Sequence, residues 1–401
     1  MSSFAESAPS PIHLLRIHST PVSVLHISED NERIYSGDSS GQVACTSSRT
    51  LRVITSWKAH TDGLLGVEEL GNEIITHGRD NKLNVWTRTE DGSTSVNLGG
   101  PAPIDQPDPT LKYSLDVNAL NYCRFSLLPI PGAENTSTST SSSPTSLPAL
   151  IALPNLVESS QADVWSLPSQ QRLHAGIGNQ TARSVFSDGR GGEVSTGIIM
   201  SLHLFRTATN DSGTSGHLRL LLAYENGSVA LRQYKNVESE VSVEGKGWDL
   251  LWDAKLHKES IMAMRVSRDN SLALSVSADH LVGRYDLVAP DDDESRFSAH
   301  RTKHPGNGSV AFRDDGRVCA IGGWDGKIRL YSTKKMKPLG TLRYHKQNCN
   351  ALEFARSRNG IREDEEDEEM SEEELTRRSR WLLGGSSDNR VSIWELMSFE
   401  K

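Results

Sequence analysis

The sequence predicts an all-β protein, a closed ring of seven four-stranded blades that forms one domain over residues 1–401. Three observations lead to this fold. One short motif recurs along the chain, a histidine precedes several copies at a nearly constant distance, and strand-like segments fill the spaces between copies. Repeats of about 40 residues, each containing several short strands, are typical of β-propellers.

The repeated motif combines small residues, an Asp, an apolar residue three positions later and an aromatic residue six positions later. Two strands of period two joined by a tight polar turn form such a β-hairpin. The copies are THGRDNKLNVW (76–86, Asp80), SVSADHLVGRY (275–285, Asp279), IGGWDGKIRLY (321–331, Asp325) and GGSSDNRVSIW (384–394, Asp388). Two degenerate copies, SGDSSGQVACT (36–46) and LAYENGSVALR (222–232), have Ser40 and Asn226 in the Asp position.

A histidine stands upstream of four of these turns. The spacing is 20 residues for His60–Asp80, 21 for His304–Asp325, 22 for His257–Asp279 and 22 for His18–Ser40. This regularity is the WD-repeat signature, in which His, Ser or Thr, Asp and Trp can form a buried hydrogen-bonded set. The motif copies offer the full complement only at His60, Thr76, Asp80 and Trp86, and we interpret these residues as a structural brace, with Asp279, Asp325 and Asp388 as further structural turns.

Seven blades can be placed in order along the chain. Strand triplets are predicted to begin near Val22, Leu64, Leu120, Ile198, Ile261, Asn307 and Cys349. Six outer strands follow: LRVITSW, LKYSLDV, QRLHAGI, WDLLWDAKL, a weak FSAHRTK, and KPLGTLRYH. The seventh blade has no such segment after IWEL, and the N-terminal PIHLLRIH fits the vacancy. Pairing it there would close the ring and remove two exposed sheet edges.

Inserts explain the uneven repeat length. Segment 131–148 is rich in Ser and Thr and poor in bulky apolar residues, which predicts disorder. Segments 179–197 and 206–217 are predicted to be flexible, and 360–378 to be a disordered acidic insert in the last blade. The inserts at 131–148, 206–217 and 363–374 fall between the first and second strands of their blades, so we expect all three at one ring face.

The charge is concentrated in one run. The net charge of −9 comes from 43 Lys and Arg against 52 Asp and Glu, and EDEEDEEMSEEE (363–374) alone contributes ten acidic residues. The remaining 42 acidic residues nearly balance the 43 basic ones, so no basic field favours direct binding of nucleic acid. The sequence shows no secretory signal and no membrane span. The four cysteines are widely separated, which predicts reduced, mostly buried thiols in a cytosolic or nuclear protein.

Motifs of catalysis and metal binding are absent from the sequence. It contains no nucleophile elbow, no HExxH and no phosphate loop followed by Lys and Ser or Thr. No histidine pair has ligand spacing with nearby cysteines, and the acidic run lacks the alternating ligands and glycine of a calcium loop. We therefore predict a non-enzyme with no cofactor, no metal and no small-molecule substrate.

Two groups of residues are candidates for binding a partner. Arg79 and Trp324 each directly precede a turn Asp, a position that points outward at the rim or top of a propeller, where exposed Arg and Trp often anchor interfaces. The alternative for both is partial burial against the neighbouring blade. In the acidic run, Glu363, Asp364, Glu365 and Glu366 are candidates for docking a basic partner, the alternative being a solvated loop.

Several segments resemble one family. They are ALPNLVESSQADVWSLPSQQRLHAGIG (152–178), GIIMSLHL (197–204), LLLAYENGSVALRQY (220–234), GWDLLWDAKLHKESIMAMRVS (247–267) and VCAIGGWDGKIRLYS (318–332). Together they are similar to the fungal ASTRA-associated protein 1 family, which is related to the G-protein β-like WD-repeat proteins of animals. The first segment is the most specific, because it departs from a generic WD repeat.

This resemblance implies a non-catalytic scaffold subunit of the ASTRA assembly. It implies partners among the TTT co-chaperone subunits, which help mature phosphatidylinositol-3-kinase-related kinases, and among other ASTRA components. It also implies a link to chromatin remodelling and a location in the nucleus, with the cytoplasm left open. The alternative is a substrate-receptor or histone-tail-reading propeller, which would need acidic or aromatic residues at the mouth of the central channel.

Overall fold

The computed structural model describes residues 9–89, 107–118, 120–130, 146–178, 196–207, 216–235, 241–290, 293–357 and 372–397. Their strands form seven four-stranded antiparallel sheets, which are the seven blades of a β-propeller. The predicted fold class is therefore confirmed. Strands one to four of each blade run from the central channel to the rim.

The strands of the first four blades follow each other along the chain. Blade one contains β2 (Val22–Ile27), β3 (Arg33–Asp38), β4 (Gln42–Ser47) and β5 (Val53–Lys58). Blade two contains β6 (Leu64–Leu70), β7 (Glu73–Gly78), β8 (Lys82–Thr87) and β9 (Thr110–Asp116). Blade three contains β10 (Ser126–Pro129), β11 (Ala149–Pro154), β12 (Ala162–Leu167) and β13 (Gln171–Ile177). Blade four contains β14 (Ile199–Arg206), β15 (Leu218–Tyr224), β16 (Ser228–Tyr234) and β17 (Trp248–Lys255).

The last three blades include the two helical segments. Blade five contains β18 (Ile261–Val266), β19 (Leu272–Ser277), β20 (Leu281–Asp286) and β21 (Phe297–Arg301), with a 3₁₀ turn at Glu294–Arg296. Blade six contains β22 (Asn307–Phe312), β23 (Val318–Gly323), β24 (Lys327–Ser332) and β25 (Lys337–Arg343). Blade seven contains β26 (Cys349–Phe354), β27 (Trp381–Ser386), β28 (Val391–Glu395) and β1 (His13–Leu15), and helix α1 (Glu372–Arg378) precedes β27.

The ring closes as the sequence predicts. Strand β1 pairs antiparallel with β28, with His13 opposite Ile393 and Leu15 opposite Val391. The amide of Ile12 extends the pairing by donating to the carbonyl of Ile393 at 2.8 Å. Blade seven therefore joins the two ends of the described chain.

The core lies between adjacent blades. Second strands such as β7 and β23 are buried at every residue, because each is covered by a neighbouring blade on both faces. One cluster packs Val43 and Trp57 of blade one against Ile74 and Trp86 of blade two. All four cysteines are buried free thiols, and burial raises their pKa values to about 12. Within the described ranges, no helix is long and apolar enough to cross a membrane.

Blade three differs from its prediction. Its first strand begins at Ser126, whereas the sequence places the start near Leu120, whose side chain is 73% exposed. The strand register opposes Ser126 to Ala152, and continuing it would oppose Arg124 to Pro154. Proline has no amide hydrogen to donate to a neighbouring strand, so regular pairing stops there. The preceding residues instead form a loop over the channel.

The predicted inserts lie largely outside the described residues, which exclude 131–145, 179–195, 208–215 and 358–371. The prediction that the acidic insert is disordered through residue 378 is wrong, because Glu372–Arg378 form helix α1. Acidic residues in its first turn and basic residues in its last complement the helix dipole.

Helix α1 is also held by tertiary contacts. The carboxylate of Glu374 accepts from Arg378 at 3.3 Å, and the buried Arg378 side chain reaches Ser48 Oγ of blade one at 3.4 Å. Its guanidinium carbon lies 5.9 Å from the centre of the Trp381 ring. These contacts across the junction of blades seven and one explain why a highly acidic segment is helical here.

Candidate protein-interaction face

The predicted brace in blade two forms one continuous hydrogen-bonded chain. His60 Nδ1 lies 2.8 Å from Asp80 Oδ1, and His60 Nε2 lies 2.9 Å from Thr76 Oγ1. Trp86 Nε1 donates to the same Thr76 hydroxyl at 2.9 Å. A carboxylate only accepts, so His60 carries its proton on Nδ1, and Thr76 donates to Nε2 while accepting from Trp86.

Asp80 ties this chain to the loop that enters blade two. It accepts from the backbone amide of Thr61 at 2.9 Å as well as from His60. Burial alone would raise the pKa of Asp80, but these hydrogen bonds outweigh burial and hold the pKa below its ordinary value. Asp80 is therefore ionised at neutral pH and fixes the position of the loop relative to the hairpin.

Two further blades contain such sets with an aromatic residue, which corrects the expectation that only blade two does. In blade one His18 bonds the buried Ser36 hydroxyl at 2.8 Å as well as Asp38. In blade five His257 Nδ1 contacts Asp279 at 3.1 Å, and Ser275 bonds His257 Nε2 at 2.7 Å. The hydroxyl of Tyr285 lies 3.0 Å from Ser275, where blade two uses a tryptophan. The sequence prediction required a Trp six residues after the turn Asp, whereas blade five has Tyr285 there, so this set was not predicted.

In blade seven the hydroxyl of the set comes from the third strand, whereas in blade two it comes from the second. His345 Nδ1 contacts Asp388 at 3.0 Å, His345 Nε2 lies 2.8 Å from Ser392 Oγ, and Trp394 Nε1 donates to Ser392 at 2.8 Å. Gly384 occupies the position of Thr76 and has no hydroxyl, and Ser392 is its partner on the next strand. The acidic insert lengthens the His–Asp spacing to 43 residues, so the spacing of about 20 residues in the other blades did not predict this set.

Two of the predicted His–turn pairs are wrong. His18 bonds Asp38 at 2.9 Å, and Ser40, predicted in that role, donates to Asp38 instead. His304 is exposed, and Asp325 pairs with Arg329, Oδ2 to Nη2 at 2.6 Å. Burial is again outweighed, here by Arg329, so that the pKa of Asp325 is lowered to about 2. Asp325 remains at the turn, but an arginine takes the place of the histidine.

These sets are structural in their geometry. Each contains a hydroxyl, a histidine and a carboxylate, but the hydroxyls of Thr76, Ser275 and Ser392 belong to residues with no exposed surface. A substrate could not reach them, and each hydroxyl is already occupied by hydrogen bonds to two side chains. Among the described residues, no group of three or more His, Cys, Asp or Glu could hold a metal ion.

The braced turns share one face of the ring, which we call the turn face. It consists of the turns between second and third strands and the loops that enter the first strands, as the antiparallel order of every blade requires. The first strands end and the second strands begin at the opposite face, where the sequence predicts the inserts of blades three, four and seven.

Both predicted anchors are exposed on the turn face. The Arg79 guanidinium carbon lies 4.8 Å from the centre of the Tyr122 ring, in cation–π geometry. Trp324 is 43% exposed, and its indole lies over Gly306, where a Cβ atom would come within 2.7 Å of the ring. Gly306 also has a φ of 77°, so glycine is required there on both counts. A role of Arg79 and Trp324 in binding stays a prediction.

Arg79 and Trp324 flank the mouth of the central channel. Tyr122, on which Arg79 stacks, and Gly308, next to the Trp324 indole, line the same cavity of about 130 Å³. Tyr122 is 58% exposed and Met262 is 38% exposed at this mouth. The sequence did not single out Tyr122, because it lies in the segment interpreted as the first strand of blade three. Glu363, Asp364, Glu365 and Glu366 lie outside the described residues.

The fold and its braced turns define a WD-repeat β-propeller. Residues 296–332 match the family model described as WD domain, G-beta repeat. The chain is 31% identical to ASTRA-associated protein 1 of Verticillium alfalfae, over 97% of this chain and 93% of that protein. It is 28% identical to the Penicillium rubens protein of the same name, over 98% of both, and 26% identical to that of Schizosaccharomyces pombe, over 97% of this chain and 99% of that protein.

The chain belongs to the ASTRA-associated protein 1 family. The similarity extends over nearly the whole length of chain and relatives alike, which confirms the family resemblance of the sequence segments. Together with the WD-repeat propeller, it indicates a protein-interaction scaffold.

Proposed function

We propose that this protein is a non-catalytic scaffold subunit of the ASTRA assembly that binds TTT co-chaperone subunits and other ASTRA components through its turn face. The association with ASTRA is supported by the name that its relatives share, ASTRA-associated protein 1. We extend the proposal to a nuclear location and a link to chromatin remodelling.

The observation that carries the docking proposal is the exposed set Arg79, Tyr122 and Trp324 at the channel mouth. Arginine, tyrosine and tryptophan supply most of the strong contacts in protein interfaces. Arg79 precedes a turn fixed by the His60–Asp80 bond and stacks on Tyr122, and Trp324 precedes a turn fixed by the Asp325–Arg329 ion pair, so little conformational entropy would be lost on binding. A rigid face of this kind suits the role of a scaffold.

The composition of the channel mouth counts against the alternative of a histone-tail reader. Such a site needs carboxylates to pair with a basic tail. The residues that line the cavity include two arginines, Arg124 and Arg265, and no Asp or Glu. The aromatic residues at the mouth would serve either function, but the positive charges of Arg124 and Arg265 disfavour a basic histone tail.

Affinity purification from fungal extract tests the proposal. We expect tagged wild-type protein to retain TTT subunits, and the combined variant Tyr122→Ala and Trp324→Ala to lose most of them, because truncating a central aromatic anchor typically weakens binding by about 2 kcal/mol or more. Val288→Ala is the matched control, since Val288 is 71% exposed and follows β20, which ends at the opposite face.

The outcomes separate the parts of the proposal. Absence of TTT subunits from the wild-type purification would reject the assignment itself. Equal retention by wild type and both variants would keep the scaffold function but move docking away from the turn face. Replacing Glu363, Asp364, Glu365 and Glu366 by their amides tests whether the acidic run contributes to docking a basic partner.

A further inference from the structure

Ionisable side chains from five blades lie at one level of the central channel. In every blade except blade three the first strand has a register irregularity near its start. In five of these six blades the residue two positions beyond the irregularity is ionisable: His26, Glu68, His203, Arg265 or Glu353. Ala311 occupies this position in blade six. The shared register places these side chains at one level of the channel.

The carboxylates at this level are already paired. Glu68 is bonded by Arg124, and Glu353 lies 3.3 Å from Arg356. Burial lowers the pKa of His203 to about 4, and burial followed by the charge of Arg356 lowers the pKa of His26, so both imidazoles are neutral at pH 7. Neither histidine therefore supplies charge to the channel at this pH.

Arg265 is left without a partner. It makes no hydrogen bond or ion pair with any described residue, and it is only half exposed to the channel. Burial and the nearby charge of Arg124 lower its pKa to about 10, although the carboxylates of Glu353 and Glu68 act in the opposite direction, and Arg265 stays protonated at neutral pH. The nearby carboxylates of Glu68 and Glu353 are already bonded to Arg124 and Arg356, so Arg265 has no carboxylate of its own. A bidentate carboxylate is the group that satisfies a partly buried guanidinium best.

Arg265 lies at the floor of the cavity that opens on the turn face. The cavity runs from Met262 and Tyr122 at the mouth to Arg124 and Arg265. Arg265 lies three positions along the strand from Met262, a depth of about 10 Å. The volume of about 130 Å³ is well below the ~300 Å³ of a small-molecule pocket, so the cavity suits one inserted side chain better than a free metabolite.

Two exposed lysines flank the mouth on the side of Trp324. Lys303 stands in the loop that ends at Gly306, whose carbonyl accepts from the Trp324 amide at 2.8 Å. Lys346 stands in the next loop, and the turn at Gly326 packs directly against the backbone of this loop. Neither lysine forms an ion pair with a residue that the structure describes. The side of the mouth next to Trp324 therefore carries basic side chains, whereas the loops that enter blades two and five carry the exposed Asp62 and Glu259.

We propose that the channel mouth binds an acidic segment of a partner protein, with one carboxylate side chain inserted into the cavity to pair with Arg265 and neighbouring carboxylates contacting Lys303 and Lys346. This inference rests on the proposed scaffold function and names the chemistry of the surface that the turn face recognises. The partner segment is acidic and extended, because only one side chain fits the cavity.

Fluorescence anisotropy with a labelled peptide of Glu and Gly tests this site. We expect wild-type protein to bind the Glu peptide and not the matched Gln peptide. Arg265→Met removes the charge at similar length and should weaken binding about ten- to a hundredfold, the effect of losing one charged hydrogen-bonded pair. Arg52→Met, at an exposed arginine of the opposite face, is the control and should leave binding unchanged.

Further arms separate the possible results. Equal binding by Arg265→Met and wild type, or equal binding of Glu and Gln peptides, would overturn the proposal. Full competition by millimolar phosphate or acetate would overturn it as well, by assigning the site to a free small anion. If Arg265→Met does not fold, Arg265→Lys, which keeps the charge without the bidentate geometry, must still weaken binding of the Glu peptide.

Purification of the Arg265→Met protein separates this inference from the proposed function. TTT subunits retained by this variant, together with no peptide binding by wild type, would remove the inference and keep the scaffold function. Peptide binding that depends on Arg265, in a wild-type protein that retains no TTT subunits, would keep the inference and reject the proposed function.

Discussion

Replacing Asp80 by alanine tests the brace of blade two most directly. The substitution removes the acceptor of His60 Nδ1 and of the Thr61 amide, at 2.8 and 2.9 Å. His60 has a fully buried side chain, so its N–H would be left without a partner. The Thr61 amide is at an exposed position and can bond to water instead.

The size of the effect follows from these two donors. A buried donor left unpaired costs about 1–3 kcal/mol, and a replaceable hydrogen bond contributes about 0.5–1.5 kcal/mol. We therefore expect Asp80→Ala to lower the free energy of unfolding by about 2–4 kcal/mol. Equilibrium unfolding in urea, followed by tryptophan fluorescence, measures this change as a shift in the midpoint.

Asn226→Ala is the matched control, because Asn226 occupies the same turn position in blade four without a histidine. Among the described residues, its side chain bonds only the local Ser228 amide and hydroxyl, at 2.9 and 2.7 Å. Its loss should cost about 1 kcal/mol. An Asp80→Ala protein that is no less stable than the Asn226→Ala protein would refute the interpretation of the set as a brace.

Three other changes probe features found in the structure. Ser392→Ala leaves the buried N–H of Trp394 unpaired and removes the hydrogen bond to His345 Nε2, so we expect the free energy of unfolding in urea to fall by about 2–4 kcal/mol. An unchanged midpoint would show that the blade seven set is dispensable. Burial lowers the pKa of His77 to about 3, whereas the unfolded chain binds this proton near pH 6.5, so the free energy of unfolding falls as pH falls from 6.5 towards 3. The loss should reach about 2 kcal/mol at pH 5 and disappear in His77→Leu. The same acid sensitivity in that variant would contradict this account. Deleting 363–371, which stops short of helix α1, should leave the melting temperature unchanged, and insoluble expression would show that the run is structural.

Much of the fold was predictable because the signals that specify it are local. The turn Asp, the alternating strands and the loop histidine repeat within each blade, so strand starts such as Val22, Leu64 and Ile261 agree with the structure. The vacancy for a fourth strand in blade seven likewise predicted its pairing with the N-terminal segment. A strand edge must be paired or protected wherever it lies, so this inference needed no knowledge of three-dimensional contacts.

The partners of individual polar groups depended on tertiary structure. Sequence spacing assigned His18 to Ser40, yet Asp38 at the end of the adjacent strand is nearer. It also could not show that Ser392 compensates for Gly384, because the two are neighbours only across a strand pair.

The candidate binding site was determined partly by sequence and partly by the closed ring. The sequence by itself identified Arg79 and Trp324, since a position before a tight turn is exposed in any blade. Only the tertiary structure could show that Tyr122 lies beside Arg79 and that the carboxylates near Arg265, Glu68 and Glu353, are bonded to other arginines. The channel exists only once seven blades meet, and whether a charge inside it is paired depends on side chains from blades far apart in the chain.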